Sequence, residues 1–196
     1  MENFETIYEV ENKTYANLFH IAEYLLGMAE RIEDGSLLNT QAATVFYAFA
    51  FEAYLNHVGE EEIIFWGEID RISYRRKLTI LQKHLHFDDS RPELQTVRQL
   101  FELRNKLAHG RTVKETITQT TDSELQLEAV FHLSPWEKLT PENVRQYHDH
   151  VSASIALINF SRKKPDKLLW DLGSCGPKKR HLPKQKKKSN APRPAP

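Results

Sequence analysis

Cysteine is almost absent from this chain, which has one, Cys175, in 196 residues. A single cysteine excludes an internal disulfide and a zinc site built on several cysteines. No apolar run reaches the about 20 residues that a membrane-spanning helix needs. The N-terminal stretch MENFETIYEVENK is acidic and lacks the basic-then-apolar pattern of a secretion signal. These absences predict a cytoplasmic protein without a membrane segment.

The formal net charge is zero, but the charges are unevenly distributed. Residues 162–196 contain twelve Lys or Arg and two Asp, whereas residues 1–161 contain fifteen basic and twenty-five acidic side chains. An acidic body is therefore joined to a basic C-terminal segment. This arrangement indicates a tail that contacts an anionic partner or the body itself.

Apolar residues at helical spacing predict an all-α bundle of about five helices. The second of them should be the most buried, because its interior AATVFYAFAFEAYLNHV is apolar on more than one side. Its main apolar face is predicted to contain Leu38, Ala42, Val45, Phe49 and Ala53. A proline in the first turn favours a helix start at Pro92 and at Pro141. The expected helices cover residues 8–31, 36–56, 73–85, 92–109 and 141–163.

Between the last two helices the apolar period changes to alternation, which predicts an inserted β-hairpin at about residues 112–133. The expected organisation is one helical domain over residues 1–165, followed by a disordered tail over 166–196. The tail is rich in Pro and Lys and has too few large apolar side chains to form a core.

Five polar residues are predicted to meet inside the bundle. Arg104 falls within the apolar arc of its helix, and Asn105 and His109 lie at the edge of that arc. Glu52 and Asn56 fall on the apolar face of the second helix. A buried arginine needs a partner, so an internal cluster of these five side chains is expected. In an arbitrary bundle, such a cluster is more typical of a structural network that fixes helix register than of a reactive site.

The segment LRNKLAHG resembles the motif of the HEPN superfamily, in which an arginine is followed directly by a polar residue, and four to six residues separate that arginine from a histidine. Arg104, Asn105 and His109 match that pattern, and FEAYLN with Glu52 resembles the acidic position on the family's preceding helix. The resemblance covers the architecture of about residues 8–160. The inserted hairpin is a departure from the family pattern.

The resemblance implies a homodimer in which two motifs form one composite site for metal-independent cleavage of single-stranded RNA. His109 would act as acid or base, Arg104 would bind phosphate oxygens, and Asn105 would orient the substrate or His109. The family also implies a toxin or phage-defence effector, with a minimal nucleotidyltransferase as antitoxin and no cofactor. The alternative is a catalytically silent HEPN module that binds RNA, a nucleotide or a partner protein.

No metal site is predicted. Two histidine-containing stretches lack HExxH or comparable spacing; they are His84 and His86 beside Asp88 and Asp89, and the run Tyr147-His148-Asp149-His150.

The basic tail has two interpretations, a solvated disordered end and a sequence-independent contact with RNA phosphates. The residues that would make such contacts are Lys178, Lys179, Arg180, Lys184, Lys186, Lys187 and Lys188.

Overall fold

The computed structural model of this chain describes residues 5–109, 139–173 and 175–180. The chain divides into two compact units. One is helical and comprises residues 13–172, and the other contains the N-terminal residues up to Asn12 and the C-terminal residues from Gly173.

The helical unit confirms the expected predominance of α-helix. The five predicted helices are present, and a short additional helix, α3, precedes α4. The described helices are α1 (Thr14–Arg31), α2 (Ser36–Glu62), α3 (Trp66–Ile69), α4 (Tyr74–Leu85), α5 (Pro92–His109) and α6 (Pro141–Phe160).

Helix α2 is the central element, because it contacts each of the other five described helices. Its apolar composition on more than one side explains this position, since a helix surrounded by neighbours must bury several faces. It ends at Glu62, six residues beyond the expected end. Its fully buried large side chains are Tyr47, Phe51, Tyr54, Leu55 and Val58.

Helix α6 begins where the sequence predicts. The Thr140 hydroxyl accepts a hydrogen bond from the backbone N–H of Asn143 at 3.3 Å, and Pro141 occupies the first turn. This cap satisfies one of the amides that a helix start leaves without a partner.

A close helix contact explains one glycine inside α2. A Cβ atom added at Gly59 would lie 2.1 Å from Cε2 of Trp66, whose side chain is buried. The missing side chain at Gly59 therefore makes room for the indole ring.

The second unit contains a two-stranded antiparallel ribbon. Strand β1 (Glu5–Val10) pairs with β2 (Cys175–Arg180), with Glu5 opposite Arg180 and Val10 opposite Cys175. Helix α1 accordingly begins at Thr14 rather than near residue 8. The sequence ETIYEV is rich in β-branched and aromatic residues and fits a strand as well as a helix start.

The expected tail over 166–196 also differs from the structure. Residues 166–172 belong to the helical unit, and 175–180 form a strand. Backbone pairing with β1 supplies order that side-chain composition does not reveal. Residues 181–196 and the expected hairpin at 112–133 lie outside the described residues. Among the described helices, none combines the length and the hydropathy that a membrane-spanning segment requires.

Candidate functional site

An ion pair joins α2 to α5 at the arginine of the HEPN-like motif. The Nη2 atom of Arg104 donates to Oε2 of Glu52 at 3.4 Å, and the two side chains are 20% and 27% exposed. Nη1 of Arg104 donates to Oδ1 of Asn105 at 3.0 Å. The predicted contact between Glu52 and Arg104 is therefore present, at the rim of the bundle.

Glu52 has a second cationic partner that sequence reasoning missed. Nζ of Lys77, on α4, donates to Oε1 of Glu52 at 3.2 Å, and the Lys77 side chain is only 4% exposed. The spacing Tyr74, Lys77, Leu78, Leu81 places this lysine on the buried face of α4. One carboxylate thus connects three helices, and two cations offset its burial.

The guanidinium of Arg104 also packs on aromatic rings. Its Cζ atom lies 5.2 Å from the ring centroid of Phe49 and 5.8 Å from that of Phe101. Its Nε atom is buried without a hydrogen-bond partner among the described residues. These contacts fix the guanidinium plane, because a cation over a ring face is electrostatically favourable.

The predicted internal cluster of five side chains is wrong in two respects. Asn105 and His109 are exposed, and Oδ1 of Asn56 is buried with no hydrogen-bond partner among the described residues. The five positions from Arg104 to His109 turn an ideal helix by about 140°. The two side chains therefore leave α5 in different directions, and only Arg104 reaches Glu52.

The predicted apolar face of α2 is its least buried face. Leu38 is 69% exposed and Phe49 is 39% exposed. The other three residues of this face are half-buried: Ala42, Val45 and Ala53. These five residues, named the α2 stripe below, recur at helical spacing. The prediction failed because α2 is apolar on more than one side, and its other apolar faces meet the neighbouring helices. The stripe reaches the motif through the contact between Phe49 and Arg104.

A second polar cluster connects the end of α2 to the segment after α6. Nε2 of His57 donates to Oδ2 of Asp166 at 3.0 Å and lies 3.8 Å from Oε2 of Glu61. Arg162, whose side chain is 3% exposed, donates to Glu61, to Oε1 of Glu62 at 3.1 Å and to Oδ2 of Asp166 at 3.2 Å.

Charge interactions in this cluster shift two pKa values. Burial alone raises the pKa of Asp166, but the hydrogen bond from His57 and the charge of Arg162 outweigh it and hold that pKa below its usual value. Burial disfavours the charge of Arg162, yet its carboxylate partners keep its pKa above the usual value. The sequence contains one signal for this cluster, His57 four residues before Glu61, and the prediction missed it.

The remaining predicted site residues fall outside these two clusters. Lys178, Lys179 and Arg180 lie in β2, whereas Lys184 and residues 186–188 lie outside the described residues.

The two other histidine stretches have ordinary partners. His148 donates to Asp149 at 2.8 Å and lies near Glu23, and His150 contacts the Thr96 hydroxyl at 2.6 Å. His84 lies 4.0 Å from Glu62.

Comparisons of the chain with protein-family models, curated protein sequences and solved structures gave no match.

Proposed function

We propose that this protein is a metal-independent endoribonuclease of the HEPN type that cleaves single-stranded RNA. The observation that supports the proposal most directly is the segment Arg104-Asn105-Lys106-Leu107-Ala108-His109 at the C-terminal end of α5. Its arginine is held by Glu52 and Phe49, while Asn105 and His109 remain exposed to a substrate. A cytoplasmic toxin or phage-defence effector, with a nucleotidyltransferase-type antitoxin, is the biological setting that the resemblance favours.

The proposed chemistry needs three groups. The ribose 2′-hydroxyl attacks the adjacent phosphorus, and one imidazole accepts the hydroxyl proton. An acid, the second imidazole, gives a proton to the 5′-oxygen as its bond to phosphorus breaks. The product of this step is a 2′,3′-cyclic phosphate. Arginine stabilises the extra negative charge of the phosphorane because its planar fork matches two phosphate oxygens. Two copies of His109 and Arg104 supply all three groups.

A composite site requires a dimer, and the α2 stripe is the surface that we assign to the second copy. It is apolar, partly exposed and continuous with Arg104 through Phe49. An apolar face against its own two-fold copy gives a self-complementary interface. Such a contact would place both motifs at the same interface.

The assembly is tested by Leu38→Glu, which places a charge on the stripe away from Arg104. Light scattering should find the parent protein as a dimer and the variant as a monomer, because burying an unpaired carboxylate is costly. Ile64→Glu is the matched control, since Ile64 is fully exposed and lies outside the stripe. It should leave the dimer unchanged. A parent protein that is monomeric at high concentration would contradict the composite site.

The activity is tested with purified protein and single-stranded RNA in EDTA. The expected products have 2′,3′-cyclic phosphate or 3′-phosphate ends, and DNA should remain intact because it lacks the 2′-hydroxyl. His109→Ala should lower the rate by about a hundredfold or more, since it removes a proton-transfer group. Arg104→Lys should also lose activity, because a point charge does not replace the guanidinium fork.

Folding controls separate chemistry from structure. His109 is exposed, so His109→Ala should unfold at nearly the same denaturant concentration as the parent. Arg98→Ala removes an arginine of the same helix outside the motif and should retain activity. A folded His109→Ala protein that cleaves RNA at the parental rate would remove His109 from the mechanism.

One observation favours the alternative, a catalytically silent HEPN-like module. Both terminal nitrogens of Arg104 already have protein partners, and the guanidinium packs on Phe49. An arginine with these contacts can have a purely structural role, in which it joins α5 to α2. Absence of cleavage of any RNA by dimeric, antitoxin-free protein would favour this alternative.

A further inference from the structure

The cluster at the end of α2 presents three metal-ligating atoms to one point. These atoms are Nε2 of His57, Oε2 of Glu61 and Oδ2 of Asp166, and all lie within 4.8 Å of one another. Two of their separations are 3.0 and 3.8 Å. Tetrahedral coordination with bonds of 2.0–2.1 Å places neighbouring ligand atoms about 3.3 Å apart. The three atoms therefore need only small shifts to surround one ion.

The ligands are held in place by their surroundings. The backbone N–H of Asp166 donates to Oδ1 of Asn159 at 2.9 Å, and Nδ2 of Asn159 donates back to the carbonyl of Asp166 at 3.0 Å. Asn159 is fully buried. The imidazole of His57 packs against the rings of Tyr15 and Tyr54, with centroids 5.1 and 6.1 Å away. Such supporting contacts orient metal ligands before an ion arrives.

The charge balance also favours a cation. Glu61, Glu62 and Asp166 contribute three negative charges, and Arg162 contributes one positive charge. An imidazole that binds a metal is neutral, so the three carboxylates and Arg162 leave an excess of two negative charges, which one divalent ion offsets. Lys163, Lys164 and Lys167 also line the adjacent cavity, but their side chains are exposed, and solvent screens their charges. Arg162 competes for two of the ligand oxygens, but each carboxylate oxygen has a second lone pair for a metal. Arg162 also pairs with Glu62, which is not one of the proposed ligands. The charge of the guanidinium is therefore balanced even when Glu61 and Asp166 bind the metal.

We propose that His57, Glu61 and Asp166 form a binding site for one divalent transition-metal ion of the zinc class. An imidazole with two carboxylates suits zinc better than calcium or magnesium, which prefer oxygen ligands alone. A surface cavity of about 560 Å³, lined by Glu61, Glu62, Arg162 and Asp166 among others, gives an ion access to the cluster. The site attaches the segment after α6 to α2, and it takes no part in the proposed RNA cleavage.

The test is calorimetric titration of the full chain with Zn²⁺ after treatment with chelator. One ion should bind per chain, and both His57→Gln and Asp166→Asn should weaken that binding by about tenfold or more. His84→Gln is the matched control, because His84 approaches Glu62 but is not one of the three ligands. It should bind zinc as the parent does.

A second measurement uses the unaltered protein, so it does not depend on whether a variant folds. The side-chain ¹H–¹⁵N resonances of His57 should shift on addition of one equivalent of Zn²⁺, and the unfolding temperature should rise. Zinc affinity unchanged in both ligand variants would assign the ion to other histidines. Absence of saturable binding up to about 1 mM Zn²⁺ would show that the three side chains do not form a metal site. Either result would overturn the proposal.

Discussion

At the scale of single residues, two glycines inside helices occupy contrasting environments. Gly59 in α2 lies against the indole ring of Trp66, whereas a Cβ added at Gly27 in α1 would meet nothing within 4 Å. Helix propensity favours alanine over glycine at both positions by about 0.5–1 kcal/mol. Packing should therefore decide whether replacing each glycine by alanine raises or lowers the free energy of unfolding.

We expect Gly59→Ala to destabilise the protein by about 1–3 kcal/mol, because the added methyl group forces Trp66 out of its site. Gly27→Ala, its matched control, should be stabilising by about 0.5–1 kcal/mol. Urea unfolding of both variants and the parent measures the two differences. Equal effects of the two substitutions would mean that Trp66 moves aside without cost.

The residue scale also defines what the sequence could reveal about the site. Glu52 and Arg104 were predicted to meet because each interrupts an apolar face, and a charged side chain there needs a partner. Lys77 gives the same signal on α4 and could have been found. The exposure of His109 could not have been predicted. A helical wheel shows the direction in which a side chain leaves its helix, but not whether a neighbouring helix covers it.

At the scale of elements, a buried carboxylate lies at the start of α5, the helix whose other end carries the HEPN-like motif. Glu93 in the first turn accepts a hydrogen bond from Nε of Arg91 at 2.9 Å and has an 11% exposed side chain. A hydrogen bond from its own backbone N–H, with further contributions from Arg91 and His150, outweighs burial and lowers its pKa. A carboxylate at this end also complements the helix dipole.

This lowered pKa predicts an acid-sensitive contribution to stability. The ionised carboxylate stabilises the folded state fully above the unfolded pKa of about 4.3, and the contribution is lost as the pH falls through the lower folded value. Glu93→Gln should thus cost about 0.3–1 kcal/mol at pH 7 and progressively less below about pH 4. Denaturant unfolding across this range measures the difference. Glu102→Gln, on the exposed side of the same helix, is the control and should change stability little at either pH.

Helix boundaries differ in how well the sequence determines them. The start of α6 was predicted correctly because Thr140 and Pro141 are local signals. The start of α1 was misplaced because residues 5–10 form a strand only by pairing with 175–180, a partner distant in sequence. The end of α2 lies six residues later than expected because the GEEE segment, although acidic, contains no proline and is compatible with a helix.

At the scale of the whole chain, the uneven charge predicts a salt-dependent interaction with RNA. Residues 181–196 contain five cations, four of them lysines. Deleting these residues should retain the helical unit and weaken binding to single-stranded RNA at about 50 mM salt, with the difference shrinking at higher salt. The slope of log K against log salt should become shallower by about 0.7 for every phosphate that the deleted cations neutralise.

The control for this truncation is a full-length chain in which the same five cations are replaced by glutamine. It should behave as the truncated protein does if charge, rather than chain length, is responsible. Equal RNA affinity of the truncated and parent proteins at low salt would assign residues 181–196 to the solvated-tail interpretation.

The pairing of β1 with β2 has a consequence for the order of folding. Closing a free loop of about 175 residues costs on the order of 4–5 kcal/mol in chain entropy, and an isolated two-stranded ribbon is marginal in water. The helical unit removes most of that cost, because the backbone N–H of Lys13 donates to the carbonyl of Leu172 at 3.1 Å. With those two residues adjacent, only short segments separate the strands. The ribbon should therefore assemble last and open first, so the backbone amides of 5–10 and 175–180 should exchange faster than the amides of the helical unit's core.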